Sequence, residues 1–194
     1  MENKSKAKIL SVAEFERLLA ITRKGSFPVR NVAILYCSFG LGLKVKEISS
    51  LTIDDISDAQ NRLREEVHFK RSTGNGVKIH RVYLTNKKVF NALMEHLEDM
   101  KDVARNRPFF QSQRKKEFTP NTLQKLFRKL YDDAGLSEAS SHSGRRTFIT
   151  RLLEHGISIK AVSSLAGHSN ISTTAIYAKD NLDCLRNIAN LAVL

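Results

Sequence analysis

The chain has 194 residues, of which 41% are hydrophobic and 27% charged, and its formal net charge is +12 at pH 7. This length and composition predict one folded domain with its own core and exclude a disordered chain. The excess of lysine and arginine favours a polyanionic partner such as nucleic acid, although a solvated basic surface alone would give the same charge.

The first part of the chain is predicted to be helical. Ser11 and Glu14 form a capping box at the start of a first helix, which the break at Gly25–Pro28 ends. Pro28 begins a second, strongly apolar helix. Gly40 and Gly42 interrupt that helix before a short one at residues 44–51. We therefore expect three helices before the pattern changes.

Residues 53–84 have the pattern of strands. Val67–Lys70 and Val77–Leu84 flank the turn sequence Thr73–Gly76, which predicts an antiparallel hairpin. Helical periodicity returns with Val89, Leu93 and Leu97. Thr119 and Pro120 cap a further helix that Gly135 ends, and four short helices follow at 142–155, 158–166, 171–179 and 181–192. The predicted fold class is α+β, mainly α, with one small antiparallel sheet.

The two cysteines and the chain start favour a reducing compartment. Cys37 and Cys184 are far apart in apolar surroundings, so we predict two buried thiols and neither a disulfide framework nor a metal site. The first eight residues are polar and no apolar run is long enough to cross a bilayer. An acidic membrane surface is also disfavoured, because no stretch pairs a long apolar face with a purely basic one. We expect a cytoplasmic protein, which in a bacterium would associate with the nucleoid.

Two motifs near the C-terminus carry the functional signal. One reads His142-Ser-Gly-Arg145, and the other reads Leu165-Ala-Gly-His168 with Tyr177 nine residues further on. This order and spacing resembles the catalytic core of tyrosine recombinases, the phage integrase family. The resemblance implies that family's catalytic-domain fold for residues 11–180.

The resemblance also suggests roles for the chain ends. Residues 1–10 would form a flexible arm, and residues 181–194 a helix that packs in cis or docks on a neighbouring protomer. A plain core helix is the alternative. With about ten residues before the first helix, the chain is similar to the short recombinases that invert fimbrial promoters, which have no N-terminal clamp domain.

The activity implied by the resemblance is integration, excision or inversion of DNA. In the family a tyrosine attacks the scissile phosphate, forms a 3′-phosphotyrosine and releases a 5′-hydroxyl, without a metal or another cofactor. The implied partners are double-stranded DNA with specific recombination sites, further copies of the chain as a dimer to tetramer on that DNA, and accessory DNA-bending proteins.

Four residues match the motifs directly. Tyr177 is the predicted nucleophile, Arg145 a phosphate clamp, and His142 a donor to the phosphate or a proton-exchange partner of the tyrosine. His168 is predicted to hydrogen-bond the phosphate. The alternatives are an aromatic on a helix face for Tyr177, a polar cap with a basic pair for His142 and Arg145, and a helix C-cap for His168.

Other predicted site residues rest on weaker signals. Glu47 would brace the site, or else form a surface ion pair with a neighbouring lysine. Lys70 on the hairpin is the predicted proton donor to the departing 5′-oxygen, with Lys78 as the alternate, and either could be a solvated lysine. Lys78, Arg146 and Arg71 are predicted to contact DNA.

One position departs from the family pattern. The family has an arginine in Gly-Leu-Arg-x-x-Glu, and here Lys44 stands in its place in the run Gly42–Glu47. A lysine keeps the charge and loses the bidentate fork. Lys44 would clamp the phosphate slowly, a nearby arginine would substitute, or the chain would bind DNA as a non-cleaving regulator, which is our alternative function. Gly144, where the family often has an apolar residue, is expected to affect helix packing only.

Overall fold

Helices make up most of the described chain, and one antiparallel strand pair completes it. The computed structural model describes residues 7–73 and 76–178, without the side chains of residues 70–73 and 76–78. Its elements are α1 (Val12–Lys24), α2 (Pro28–Phe39), α3 (Val45–Ser50), α4 (Ile53–Ile56), β1 (Glu66–Thr73), β2 (Gly76–Tyr83), α5 (Lys87–Asp99), α6 (Pro120–Asp133), α7 (Ser143–Glu154), α8 (Ile159–Leu165) and α9 (Ser172–Ala178). The predicted fold class is confirmed.

The predicted helix starts are confirmed by their hydrogen bonds. The Ser11 hydroxyl accepts from the Glu14 backbone N–H, and the Glu14 carboxylate accepts from the Ser11 N–H. The Thr119 hydroxyl caps α6 by accepting from the Thr122 N–H. These bonds satisfy backbone donors that have no partner within their own helix.

The region that we predicted to be strands begins instead with a helical turn. Residues Ile53–Ile56 form α4, and the Thr52 hydroxyl accepts from the Asp55 N–H at its start. The Asp55 carboxylate accepts from the Thr52 N–H in return. This capping box stabilises one turn of helix at a place where the apolar pattern alone favoured extended chain.

Helix α2 forms the centre of the main core. Its residues 30–39 are all buried, and α1, α5 and α7 pack around it. Cys37 lies within this run as a buried, unpaired thiol, as predicted. A second, smaller core joins α7 to α8 and α9 through Ile149, Leu153, Val162 and Ala166. Helix α7 also packs against α2, so it fixes α8 and α9 relative to the main core.

Gly144 lets α7 approach α2 closely. A Cβ at this position would lie 2.9 Å from Phe39 Cδ2 and closer still to the Ser38 hydroxyl. The small residue is therefore a requirement of helix packing, as the sequence suggested.

We expect Gly144→Ala to lower the free energy of unfolding by about 1–3 kcal/mol, because the added methyl group overpacks this contact. Urea unfolding followed by circular dichroism measures the change. Gly25→Ala is the control, since a Cβ there has an ordinary contact of 3.5 Å with the Thr22 carbonyl oxygen. Equal stabilities of the two variants would contradict the close approach.

The hairpin has the alternation that its sequence predicts. Its strands pair antiparallel with Val67 opposite Val82, Phe69 opposite His80 and Lys70 opposite Ile79. On β2, His80 and Val82 are buried, whereas Ile79 and Tyr83 are exposed. Side chains at every second position of a strand share a face, so His80 belongs to the inward face of the hairpin.

His96 on α5 is a buried histidine away from the cleft described below. It is 4% exposed, its Nε2 donates to the Phe109 carbonyl at 3.0 Å, and burial lowers its pKa from 6.5 to about 4. Between these values the unfolded chain takes up the proton and the folded chain does not. Stability therefore falls as the pH drops from 6.5 towards 4.

We expect His96 to account for a loss on the order of 3 kcal/mol over that pH interval. The measurement is urea unfolding at pH 7 and pH 4, with the wild type compared to His96→Gln, which keeps a donor for the Phe109 carbonyl and does not titrate. The variant should lose less stability on acidification than the wild type. His155→Gln, at an exposed histidine, should lose as much as the wild type. Parallel behaviour of wild type and His96→Gln would contradict the prediction.

Some predictions fall outside the described residues. These are the arm up to residue 6, the helix at 181–192, the C-terminal segment 181–194 and Cys184. Within residues 7–73 and 76–178, no helix is both long and apolar enough to cross a membrane.

Candidate active site

A cleft of about 650 Å³ brings together most of the residues singled out in the sequence. It lies between the start of α3, the start of α6, the start of α7 and helix α9. The predicted site residues that line it are Lys44, His142, Arg145, Arg146, His168 and Tyr177. Lys46, Gln124 and Thr173 line it too and were not predicted. The described lining residues include four cationic side chains and no Asp or Glu, so the cleft favours an anion.

Helix α7 holds Arg145 at the floor of the cleft. Only 6% of this residue is exposed. Its Nη1 donates to the Gly42 carbonyl at 2.6 Å, and its Nη2 donates to the Ala166 carbonyl at 2.7 Å. These two bonds fix the plane of the guanidinium group and tie α7 to the segment before α3 and to the end of α8. A clamp with its orientation already set loses little entropy when it binds an anion.

His142 is the N-cap residue of α7 and is exposed. Its backbone N–H donates to the Ser140 hydroxyl at 3.3 Å, and the Ser140 N–H donates to the Ser143 hydroxyl at 2.9 Å. The imidazole therefore stands at the mouth of the cleft, one residue before the helix that carries Arg145. Arg146 follows Arg145 on the same helix and is partly exposed on the cleft wall.

Lys44 and Lys46 point out of the start of α3 on either side of a buried residue. Both are exposed and line the cleft, while Val45 between them is 7% exposed. Lys44 is the N-cap of α3, and its backbone N–H donates to the Glu47 carboxylate at 2.7 Å. The run that departs from the family motif thus places two exposed lysines in the same cleft as the buried Arg145.

Glu47 is buried, so the alternative of a surface ion pair with a lysine is wrong. It is 6% exposed, and its Oε1 lies 3.1 Å from the Nδ1 atom of His80 on β2. The other ring nitrogen of His80, Nε2, lies 2.8 Å from the Leu165 carbonyl. His80 was not among the predicted site residues. Its place in the alternation of β2, on the same face as Val82, is the signal that would have found it.

His168 takes part in a helix cap and in the cleft at once. Its backbone N–H donates to the Ser163 carbonyl at 2.9 Å, beyond Gly167, which has a φ of +59° and ends α8. The imidazole Nδ1 lies 2.7 Å from the hydroxyl of buried Thr174 on α9. Both interpretations of His168 therefore apply. Its backbone caps the end of α8, and its side chain lines the cleft.

Tyr177 is the tyrosine that the cleft contains. Its ring lies 6.3 Å from the His168 ring, centroid to centroid, with 14° between their planes, and it packs partly on the smaller core. Tyr36 and Tyr131 are buried, and burial raises the pKa of Tyr131 further above its ordinary value of 10. Tyr83 is exposed on β2 outside the cleft lining.

For the predicted site residues on the hairpin, the structure describes only the backbone. Lys70 pairs with Ile79 and Arg71 with Lys78 in the strand register, and the side chains of Lys70, Arg71 and Lys78 lie outside the described part of the structure. Their roles stay predictions. Strand β2 is linked to the cleft through His80, because His80 bonds to Glu47 and Glu47 accepts from the backbone N–H of Lys44.

The chemistry of the cleft wall is set by its cationic and imidazole side chains. In residues 7–73 and 76–178, His, Cys, Asp and Glu side chains form no group of three or more that could hold a metal ion. The donors on the cleft wall are ammonium, guanidinium and imidazole groups, which suit an oxyanion.

Comparison with known sequences shows which proteins this chain is similar to. Residues 8–183 match the phage integrase family. The chain is 30% identical over 195 residues to tyrosine recombinase XerA of Pyrococcus horikoshii, an alignment that covers 98% of this chain and 63% of that protein. It is 32% identical over 174 residues to tyrosine recombinase XerD of Oceanobacillus iheyensis, covering 87% of this chain and 56% of that one. The chain thus spans less than two thirds of the length of these relatives.

Comparison with solved structures agrees with the sequence matches. The crystal structure of XerA recombinase superimposes with a TM-score of 0.76 at 27% identity, covering 95% of this chain and 64% of that one. A Tn1549 transposon integrase in complex with a circular intermediate DNA gives a TM-score of 0.75 at 25% identity, covering 98% of this chain and 68% of that one. These similarities confirm the catalytic-domain fold that the motifs implied.

Proposed function

The chain belongs to the phage integrase family, and from this we propose that it cuts and rejoins DNA at specific sites through a 3′-phosphotyrosine link. The observation that carries the proposal is the shared cleft. It holds a tyrosine, two imidazoles and four cationic side chains, and the structure describes no carboxylate in its lining. A phosphodiester in such a cleft would meet a nucleophile and fixed positive charge together.

The proposed first step is attack of the Tyr177 oxygen on phosphorus. The bond between phosphorus and the tyrosine oxygen forms as the bond to the 5′-oxygen of the next nucleotide breaks. The tyrosine gives up its proton to His142, its proposed proton-exchange partner, and the departing 5′-oxygen takes one from a general acid. A 5′-hydroxyl from a partner strand then attacks the phosphotyrosine and releases the tyrosine. The energy of the broken bond is kept in the phosphotyrosine link, so no ATP is needed. We propose that the cationic side chains of the cleft supply the positive charge and that neither a metal nor another cofactor takes part.

The proposed roles follow from where the groups lie. Arg145 and Lys44 neutralise the phosphate oxygens as charge builds up, and His142 and His168 donate to the same phosphate. Glu47 touches none of the reacting atoms and braces the start of α3 through the Lys44 N–H. We keep Lys70 as the proposed general acid, with Lys78 as its alternate.

The proposed substrate is double-stranded DNA with specific recombination sites. The DNA-bound Tn1549 integrase that superimposes on this chain supports this choice, as does the net charge of +12. Arg146, Arg71 and Lys78 are proposed contacts to the DNA backbone. Exchange of strands between two sites requires several active sites, so we propose that two to four copies assemble on DNA, helped in some reactions by DNA-bending proteins. The place of action would be the compartment that holds the DNA, the cytoplasm and nucleoid of a bacterium.

A covalent-capture experiment tests the proposal. The protein is incubated with suicide duplexes whose central positions are randomised, and species that survive denaturation are isolated and sequenced. We expect a protein–DNA adduct enriched in one sequence, with the modified peptide containing Tyr177. Salt-sensitive, sequence-specific binding without any adduct would overturn the proposal in favour of a non-cleaving DNA-binding regulator.

A further inference from the structure

Two buried groups connect the same two segments of the cleft wall. Arg145 donates to the Gly42 carbonyl on one side and to the Ala166 carbonyl on the other. His80 joins the same two segments, with the Glu47 carboxyl, five residues after Gly42, on one side and the Leu165 carbonyl, next to Ala166, on the other. We propose that His80 is a positioning residue for DNA cleavage, which sets the turn that presents His168 and links it to the start of α3. This inference rests on the proposed function.

The protons of the His80 ring follow from its neighbours. A carbonyl oxygen only accepts, so Nε2 carries a hydrogen and donates to Leu165 at 2.8 Å. Nδ1 faces the Glu47 carboxyl at 3.1 Å, and one proton lies between them. The other carboxylate oxygen accepts from the Lys44 N–H at 2.7 Å. A continuous path of hydrogen bonds thus runs from the backbone of Lys44 to the end of α8.

The ring also fills the space beneath the turn. A Cβ at Gly167 would lie 2.8 Å from His80 Nδ1 and nearer still to two ring carbons. Gly167 also has a φ of +59°, a conformation that favours glycine. Because His168 directly follows, a shift of the His80 ring would move the backbone that carries the cleft imidazole.

His80 also connects the cleft to the hairpin. It lies on β2, two residues beyond Lys78, and its neighbour on the opposite strand is Phe69, next to Lys70. The bonds to Glu47 and Leu165 therefore anchor the strand pair on which both proposed general acids lie. A positioning role at this point would act on the phosphate donors and on the proton donor together.

Three substitutions of His80 test its bond to Glu47 and its bond to the Leu165 carbonyl separately. In His80→Gln the amide nitrogen takes the place of Nε2 and keeps the bond to the Leu165 carbonyl. In His80→Asn the amide nitrogen takes the place of Nδ1 and keeps the bond to Glu47. His80→Leu has neither. The measurements are the single-turnover rate of adduct formation on the captured suicide duplex and, separately, the Kd for that DNA.

We expect His80→Leu and His80→Asn to lower the rate by about 100-fold, and His80→Gln to stay within about tenfold of the wild type. The Kd should change by less than about threefold in all three, because His80 is 4% exposed and acts behind the cleft. A wild-type rate in His80→Leu would overturn the proposal. Equal loss in rate and affinity, or a faster Asn than Gln variant, would also overturn it.

His96→Leu is the matched control. His96 is equally buried and also donates to a backbone carbonyl, that of Phe109, but it lies outside the cleft. Its loss should lower the free energy of unfolding and leave the rate unchanged at temperatures below unfolding. A rate loss equal to that of His80→Leu would show a general effect of stability and overturn the positioning role.

Nuclear magnetic resonance separates this proposal from the proposed function. The ¹³Cε1–¹H resonance of His168 should move in His80→Leu and stay in place in His96→Leu. If the wild type forms no adduct, the proposed function fails, and this resonance alone decides whether His80 sets the turn. An unmoved His168 resonance would overturn the positioning role.

Discussion

Tyr177→Phe should abolish the covalent protein–DNA adduct while leaving DNA affinity nearly unchanged. The substitution removes one oxygen, and that oxygen is the atom proposed to bond to phosphorus. The ring still packs on the smaller core and beside His168, so the cleft keeps its shape. We expect adduct formation to fall by at least about 1000-fold and the Kd to change by less than about twofold. Denaturing gels of the suicide complex and fluorescence anisotropy measure the two quantities.

Tyr83→Phe is the matched control for this substitution. Tyr83 is 46% exposed on β2 and is the other described tyrosine that solvent reaches, since Tyr36 and Tyr131 are buried. Its loss should leave adduct formation within about threefold of the wild type. An adduct that persists in Tyr177→Phe and disappears in Tyr83→Phe would show that Tyr83, on the hairpin, is the nucleophile. Persistence in both variants would exclude a tyrosine nucleophile at either position.

Local features of the fold could be predicted because their causes are local in the sequence. The Ser11–Glu14 box, the Thr119 cap and the antiparallel pairing of Thr73 with Gly76 each depend on a few adjacent residues. Helix α4 was missed for a similar reason, since the Thr52–Asp55 box is as short as the others and was hidden by the strand-like pattern around it. The spacing of the apolar residues then predicted which face of each helix and strand is buried.

The assembled cleft was predictable only in part. Motif spacing named Tyr177, Arg145 and the two cleft histidines, yet it gave no account of what holds them in place. The bonds from Arg145 to the Gly42 and Ala166 carbonyls join residues that are 103 and 21 positions apart. His80 reaches Glu47 over 33 positions and Leu165 over 85. Contacts of this kind depend on tertiary packing, which periodicity within one helix or strand does not encode.

We expect the lysine at position 44 to limit the rate of the proposed cleavage. Lys44 lines the cleft beside Arg145, where a planar fork would bind two phosphate oxygens at once and a single ammonium group binds as a point charge. Its backbone is already held by Glu47, so only the side chain differs from the family motif. An arginine at this position would therefore require no change in the backbone.

We expect Lys44→Arg to raise the single-turnover rate of adduct formation on the order of 100-fold, because it restores a transition-state donor. Lys46→Arg is the control: it makes the same chemical change two residues away, on an exposed side chain of the same cleft, and should leave the rate within about threefold. If Lys46→Arg raised the rate as much, added arginine anywhere in the cleft would suffice. An unchanged rate in Lys44→Arg would show that the lysine is no handicap and that a nearby arginine already supplies the clamp.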